Sequence, residues 1–305
     1  MDGTFLLQQF VNGLTLGSVY ALIALGYSLV YGILKLLNFA HGEVYMIGAF
    51  IGYFVLIGLG GPDDLAVPVV VALTLMFLAA MLGSGILGVL IERFAYRRLR
   101  NAPRIAPLIT ALGVSFFLQS TALLLFGAKF RSYSTFQFLG GGIEVAGVRI
   151  STTRILVVVA AFSLMVALTL LVGRTRLGKA MRATAFDREA AAMMGIDVDR
   201  VIVATFLIGS ILAGAAGVMF GLVFFSVYHL MGFTAGLKGF TAAVVGGIGH
   251  IPGAMLGGLL IGLAEAFSAG YISSTFQDLI VFSILIVVML VRPTGLLGRA
   301  DIKKV

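Results

Sequence analysis

Apolar runs of about twenty residues, separated by short polar stretches, repeat along the chain. A run of that length crosses the hydrocarbon core of a bilayer as a helix, because a helix satisfies its own backbone polar groups where water is absent. The runs fall at 8–34, 43–60, 66–91, 105–127, 154–173, 200–226, 230–250, 252–270 and 276–291. They predict an all-α polytopic membrane protein of about eight or nine transmembrane helices, the seventh and eighth being the least clearly separated. Two places interrupt the apolar pattern. The first is Lys35 to Gly42, KLLNFAHG, which carries Asn38 and His41 and is followed by Glu43. The second is Gly232 to Gly253, which carries Lys238, the Gly246–Gly247 pair, Gly249, His250 and Pro252. Each break precedes a small-residue helix, HGEVYMIGAFIG in one case and HIPGAMLGGLLIG in the other. Matched breaks of this kind predict one or two discontinuous helices and hint at an internal duplication, the arrangement by which many transporters build a polar path at mid-membrane.

Composition agrees with the pattern. Of 305 residues 60% are hydrophobic and 11% charged, with a mean hydropathy of +1.11, whereas soluble domains carry roughly 25% charged residues. The formal charge of +8 would suggest nucleic acid in a soluble protein, but the placement of the basic residues points elsewhere. Arg93, Arg97, Arg98, Arg100 and Arg104 share one loop, and Arg174, Arg176, Lys179, Arg182, Arg188 and Arg200 share another. Arg292, Arg299, Lys303 and Lys304 come after the last run. These fifteen of the 21 basic residues are expected on the cytoplasmic face. Counting spans from them puts the amino terminus outside and the carboxy terminus inside, and requires an even number of crossings after Arg200. Met1 to Phe10 has no basic n-region, so the first span is expected to be retained rather than cleaved.

The chemistry in view is sparse. With no Cys there is no thiolate metal site, and His41 and Glu43, two apart, do not share a helix face, so no metal site is expected. Asn38, His41 and Glu43 form either a hydrated turn at the cytoplasmic end or part of a pathway, since intramembrane ionisable groups are functional candidates by default. Lys238 is expected to snorkel, Glu265 to face the headgroup region and Asp278 to be interfacial; His229 is expected to be structural. Gly173 to Ala180, GRTRLGKA, matches seven positions of the phosphate-loop pattern, but Ala180 replaces the Mg²⁺-binding hydroxyl and an apolar span precedes it, so no nucleotide site is expected. Motifs of hydrolytic enzymes are missing as well.

Phe10 to Phe50, FVNGLTLGSVYALIALGYSLVYGILKLLNFAHGEVYMIGAF, resembles the opening of the H-type permease subunit of branched-chain amino acid ABC importers. The polar loop over 174–200 adds the E-A-A-x-x-x-G pattern of importer permeases, here Glu189, Ala190, Ala191 and Gly195, and Gly232 to Phe267 resembles the family's last Gly-rich block. The resemblance implies a single permease domain over 1–305, with 174–200 as a cytoplasmic coupling loop whose short helix sits in a groove of a cytoplasmic ATPase. Asp187 and Glu189 suit the first turn of such a helix and Gly195 its end, leaving Ala190, Ala191, Met193 and Met194 as an apolar surface. The alternative for this stretch is a plain interfacial amphipathic helix.

The same resemblance implies a bacterial inner-membrane location and the absence of any cofactor in this chain, ATP and Mg²⁺ residing on partner subunits. Those partners are a second, M-type permease, two ATPase subunits and a periplasmic substrate-binding protein. A mostly apolar path would carry polar groups near Asn38, His41, Glu43, Gly246, Gly247 and Gly249. Two alternatives remain: a urea or short-chain amide permease of the same family, and an ATP-independent secondary carrier whose broken helices bind ion and solute.

Overall fold

The computed structural model describes residues 3–61, 64–100, 102–103, 105–133 and 141–298. Its helices are α1 (Gly3–Leu34), α2 (His41–Gly58), α3 (Val69–Ile91), α4 (Ile105–Phe126), α5 (Thr152–Arg174), α6 (Arg176–Phe186), α7 (Arg188–Met193), α8 (Val198–Phe224), α9 (Met231–Gly246), α10 (Ile251–Tyr271) and α11 (Gln277–Val291). Beyond Ile91, α3 continues through a π-helical turn, Glu92–Tyr96, and a 3-10 turn, Arg97–Leu99. Four short strands, β1 (Arg131–Ser132), β2 (Gly142–Val145), β3 (Val148–Ser151) and β4 (Ser226–Val227), form two antiparallel pairs, β1 with β4 and β2 with β3. The β2–β3 hairpin turns at Ala146 and Gly147, both at positive φ (49° and 79°), the geometry whose twist matches paired strands. Among the described residues, eight helices are long and apolar enough to cross a membrane.

The span expected over 230–250 is different: α9 has sixteen residues and is not one of the eight. Gly247 and Gly249 stop it, with φ of 110° and 88°, a conformation that costs glycine little. At its other end the chain leaves α8 through Phe225 in the left-handed region (φ 54°), pairs β4 with β1, and turns at Tyr228 before α9 begins. Extended chain and a short helix thus share this crossing. α9 and α10 then form an antiparallel hairpin in which Gly246 lies against Gly253 and Ala242 against Gly257. The start of α2 is displaced in the same way. His41 packs on Gly26 of α1, about two turns before α1 ends. Gly42 at the start of α2 also lies against Gly232 and Gly236 at the start of α9, so the two interruptions meet inside the bundle.

α1 is apolar all round and is the central helix, as such a pattern requires. It lies antiparallel to α10 in the most extensive helix contact, where Gly13 and Gly17 of α1 face Leu263, Leu259 and Gly262, and Ala21 faces Gly258. α8 approaches α1 where Gly209 meets Gly26, α2 where Gly217 meets Tyr45 and Ala49, and α3 where Gly214 meets Ala80. In hydrocarbon no hydrophobic effect drives helices together, so close backbone approach through small residues takes its place. α3, α4, α5 and α11 form the outside, with Leu82, Ile86, Phe116, Phe117, Leu124 and Leu290 exposed as lipid-facing side chains.

The contacts sort the helix ends onto two faces. One carries the ends of α1, α3, α5, α9 and α11 together with α6 and α7; the other carries the start of α1, the β2–β3 hairpin and the link between α10 and α11. Of the described basic residues outside the membrane, Lys35, Arg93, Arg97, Arg98, Arg100, Arg174, Arg176, Lys179, Arg182, Arg188, Arg200 and Arg292 are on the first face, which we term the basic face. Lys129, Arg131, Arg149 and Arg154 are on the other. Arg104, Arg299, Lys303 and Lys304 lie outside the described residues. The GRTRLGKA stretch forms the end of α5 and the start of α6, with Thr175 capping α6 by accepting from the Gly178 amide at 3.0 Å. A strand-to-helix phosphate loop is therefore not what these residues build.

Substitution at the α1–α10 contact should be costly. A Cβ on Gly258 would overlap the backbone of Ala21, so Gly258→Val is expected to destabilise the protein by about 1–3 kcal/mol. Thermal unfolding in detergent would register this as a lower melting temperature, and an unchanged one would contradict the contact.

Candidate functional site

The start of α2 is where polar side chains penetrate furthest into the bundle. Asn38, His41 and Glu43 are 3%, 1% and 0% exposed, so the hydrated turn offered by the sequence is not what forms. Asn38 Oδ1 accepts from the Tyr96 hydroxyl at 3.0 Å, and Tyr96 reaches it from the π-helical turn that extends α3. A π turn inserts an extra residue and shifts the register of the next helical turn, a device common at functional positions. His41 stands edge-on to Tyr27, with ring centroids 5.0 Å apart. Glu43 Oε1 accepts from Ser115 Oγ at 3.0 Å and from Gln119 Nε2 at 2.8 Å, both on α4, while Gly232 of α9 lies beside its other oxygen. Sequence reasoning missed Ser115 and Gln119, although two polar residues four apart in an apolar span mark one helix face.

Gly246, Gly247 and Gly249 form the α9–α10 turn at the basic face. Residues after α11 dock on this turn: Leu296 N donates to Val245 O at 2.8 Å and Leu297 N to Gly246 O at 3.0 Å. Gly249 faces Gly32 of α1, and both line a small cavity of about 90 Å³ with Met181 and Arg182 of α6. These glycines are therefore not gathered with Asn38, His41 and Glu43. They sit at the opposite end of α9, about 20 Å away by helical rise.

Lys238 and Glu265 correct the sequence reading. Lys238 does not snorkel and Glu265 does not face headgroups: they are 5% and 6% exposed, and Lys238 Nζ lies 2.7 Å from Glu265 Oε1 and 2.7 Å from Asp278 Oδ1. One cation and two carboxylates from α9, α10 and α11 thus form a single cluster, with the Asp278 side chain half exposed (52%). Burying such groups is tolerable only when they are paired.

On the basic face α6 and α7 form a corner. Asp187 caps α7, accepting from the Ala190 amide at 3.0 Å, and Gly195 closes it at φ 80° with its amide on Ala192 O. The sequence placed Gly195 at this end and Asp187 in the first turn; the structure sets Asp187 one step earlier, as the cap. Glu189 and Ala190 are exposed, but Ala191 is buried against the bundle (4%), so the expected apolar surface lacks it. That surface comprises Met193, Met194 and Phe186 instead, each more than 80% exposed. Arg188 turns inward: its Nη2 donates to Ile33 O in the last turn of α1 at 2.8 Å. Burial, and secondarily the neighbouring Arg100, lowers the basicity of its guanidinium, which remains charged at neutral pH because its ordinary value is so high. A cavity of about 620 Å³ separates this corner from the ends of α1 and α4. Nearby, Arg100 bridges the fully buried Glu92 to Asp199 at the start of α8. No group of three or more candidate metal ligands occurs among the described residues.

A helical membrane bundle with two interrupted crossings and buried polar clusters is an arrangement that many transporters use. The chain belongs to the family described as branched-chain amino acid transport system, permease component, which matches residues 9–290. It is a multi-pass membrane protein and a component of a transport system, working with other subunits. Over 304 residues it is 46% identical to the high-affinity branched-chain amino acid transport system permease protein BraD of Pseudomonas aeruginosa, covering 98% of each chain. It is 44% identical over 306 residues to the corresponding permease LivH of Escherichia coli K12, covering 99% of this chain and 98% of that one. A probable LivH of Methanocaldococcus jannaschii is 28% identical over 309 residues, with 94% and 90% coverage.

The buried polar groups make stability sensitive to their pairing. Glu43→Leu leaves Ser115 and Gln119 without their acceptor and should cost about 1–3 kcal/mol, read as a lower melting temperature, whereas Glu43→Gln retains an acceptor and should cost less. Lys238→Leu strands a buried carboxylate and should cost about 3–5 kcal/mol. The double change Lys238→Leu with Glu265→Leu should recover part of that loss; a double variant less stable than the single would argue against the pairing.

Proposed function

We propose that the chain is the permease subunit of an ABC importer that moves branched-chain aliphatic amino acids from the periplasm to the cytoplasm of a bacterial cell. The observation that carries this reading is the near-full-length identity of 44–46% to permeases named for high-affinity branched-chain amino acid transport. That identity also favours amino acids over urea or amides. Its partners are a second permease of the M type, two ATPase subunits that hold ATP and Mg²⁺, and a periplasmic binding protein. Twelve described basic residues on one face against four on the other support a cytoplasmic basic face, with the amino terminus outside and the carboxy terminus inside.

Under this reading residues 174–200 form the coupling loop of a single permease domain, with Glu189, Ala190, Ala191 and Gly195 at its centre. Phe186, Met193 and Met194 offer the kind of apolar projection that fills a groove on a partner. Gly195 and Asp187 fix the ends of α7, and Ala191 seats it on the bundle. Arg188 then carries displacement of the corner to the end of α1, the helix on which α8, α9 and α10 pack. The path is mostly apolar, with Asn38, His41 and Glu43 within the bundle and the Gly246, Gly247 and Gly249 turn at the cytoplasmic end.

Uptake of radiolabelled leucine into proteoliposomes tests the proposal. Leucine should accumulate only with both permeases, the ATPases, the binding protein and ATP; uptake by this chain alone without ATP would make it a secondary carrier, and urea uptake would reassign the cargo. Glu189→Lys and Arg188→Ala should each lower uptake about tenfold, the scale of one charge-assisted hydrogen bond, while the assembled transporter still hydrolyses ATP. Unchanged uptake in both would sink the coupling role.

A further inference from the structure

Near the face opposite the coupling corner, α1, α5, α8, α10 and the start of α11 line an open cavity of about 330 Å³. Arg154, from the first turn of α5, and Glu265, from α10, both line it; Lys238 holds Glu265 Oε1, and Oε2 is buried without a hydrogen-bond partner among the described residues. These groups line one space, yet the ion pairs formed among the described residues do not include Arg154 with Glu265. Arg154 Nη1 donates to Asn12 Oδ1, an oxygen that also accepts from Gln8 Nε2 at 3.0 Å. A guanidinium has five N–H donors in a planar fork that matches a carboxylate, so holding Asn12 leaves most of that fork for a ligand.

The charge balance at the other end is unequal. Lys238 is one cation facing the two carboxyl groups of Glu265 and Asp278, so acidic groups outnumber basic ones in the cluster. The cavity is thus bounded by a basic residue and by a member of an acid-rich cluster, with apolar Leu16, Phe224 and Ala269 and polar Gln9, Thr15 and Gln277 lining the space as well. A ligand matching this wall bears an anionic group for Arg154 and a cationic group for Glu265 on a partly apolar body. A second cavity, of about 410 Å³, shares Arg154 and Val223 with the first and is bordered by Arg149 and Ser151 of the β2–β3 hairpin, so Arg154 stands where the two meet.

We infer that this cavity is a binding site for a zwitterionic aliphatic α-amino acid, Arg154 taking the carboxylate and the Glu265 cluster the ammonium. Resting on the proposed import of aliphatic amino acids, the site deepens it: the permease itself recognises the charged ends of its cargo just inside the face opposite the coupling corner. Gly–Gly contacts between helices hold the walls, and Lys238 acts as a positioning residue that fixes the Glu265 carboxylate.

Equilibrium binding to the assembled permease–ATPase complex in nanodiscs, without the binding protein, tests the inference. The probe is tritiated leucine, competed with leucine, with 4-methylpentanoate, which lacks the ammonium, and with 3-methylbutylamine, which lacks the carboxylate. Leucine should bind saturably, and each half-ligand should compete about tenfold or more less well, the scale of one lost charge-assisted contact. Arg154→Gln should weaken leucine by a similar factor and leave competition by the amine unchanged, a split that general misfolding does not produce. Ala269→Leu, which fills the cavity and keeps every charge, should abolish binding while the complex stays monodisperse. No saturable leucine binding by the wild type, equal competition by the half-ligands, or wild-type affinity in both variants would each overturn the site. Uptake by the complete transporter separates the two claims: leucine uptake without leucine binding to the permease removes the site and spares the transport reading. Zwitterion binding that depends on Arg154 upholds the site even where another amino acid proves to be the cargo.

Discussion

A carboxylate or ammonium taken into hydrocarbon without a partner costs several kcal/mol, and that penalty organises this bundle. Glu43 is fully buried and its partners are on α4; Lys238 is buried and its partners are on α10 and α11. Each cluster ties a peripheral helix to the short helices that begin or lie within the membrane. Glu43 on α2 and Lys238 on α9 thus tie α4 and α11 to these two helices. Arg100 repeats the device at the basic face, where it joins the extension of α3 to the start of α8 through Glu92 and Asp199.

Close backbone approach is the complement of this polar pairing. Where Gly42 meets Gly232 and Gly236, and Gly17 meets Gly262, no side chain separates the helices. Dispersion and short carbonyl contacts then replace the hydrophobic effect that is lost in lipid. The tight contacts concentrate on α1, α2, α8, α9, α10 and the inner face of α3, whereas α4, α5, α11 and the other face of α3 present large apolar side chains outward. The result is a closely packed inner group of helices flanked by helices with exposed apolar faces. Movement of the α6–α7 corner would reach that inner group directly, since Arg188 is bonded to the last turn of α1.

The two faces differ in kind. The basic face carries a helical corner with exposed Phe186, Met193 and Met194 beside a wide cavity. The opposite face carries short strand pairs and cavities lined by Arg154 and Arg149. An apolar projection suits a protein partner, and a polar, charge-bearing cavity suits a small charged solute. A permease needs both, separated by the thickness of the membrane.

From the sequence alone came the class, the positions of eight of the nine expected spans, the distribution of basic residues, the acidic start and glycine end of α7 at Asp187 and Gly195, and the two interruptions. These are local properties: hydropathy over twenty residues, charge position, and the backbone preferences of Asp and Gly. Tertiary structure decided the rest. It made the crossing through residues 225–246 part extended and part helical, because the end of α9 is set by backbone turns at Gly247 and Gly249 and its start by packing against Gly42. It buried Ala191, and it paired Glu43 with Ser115 and Gln119, and Lys238 with Glu265 and Asp278. No hydropathy window could supply those pairs, since each depends on which faces of helices distant in sequence come together, and a lone charge in an apolar run reads as snorkelling until its partner is in view.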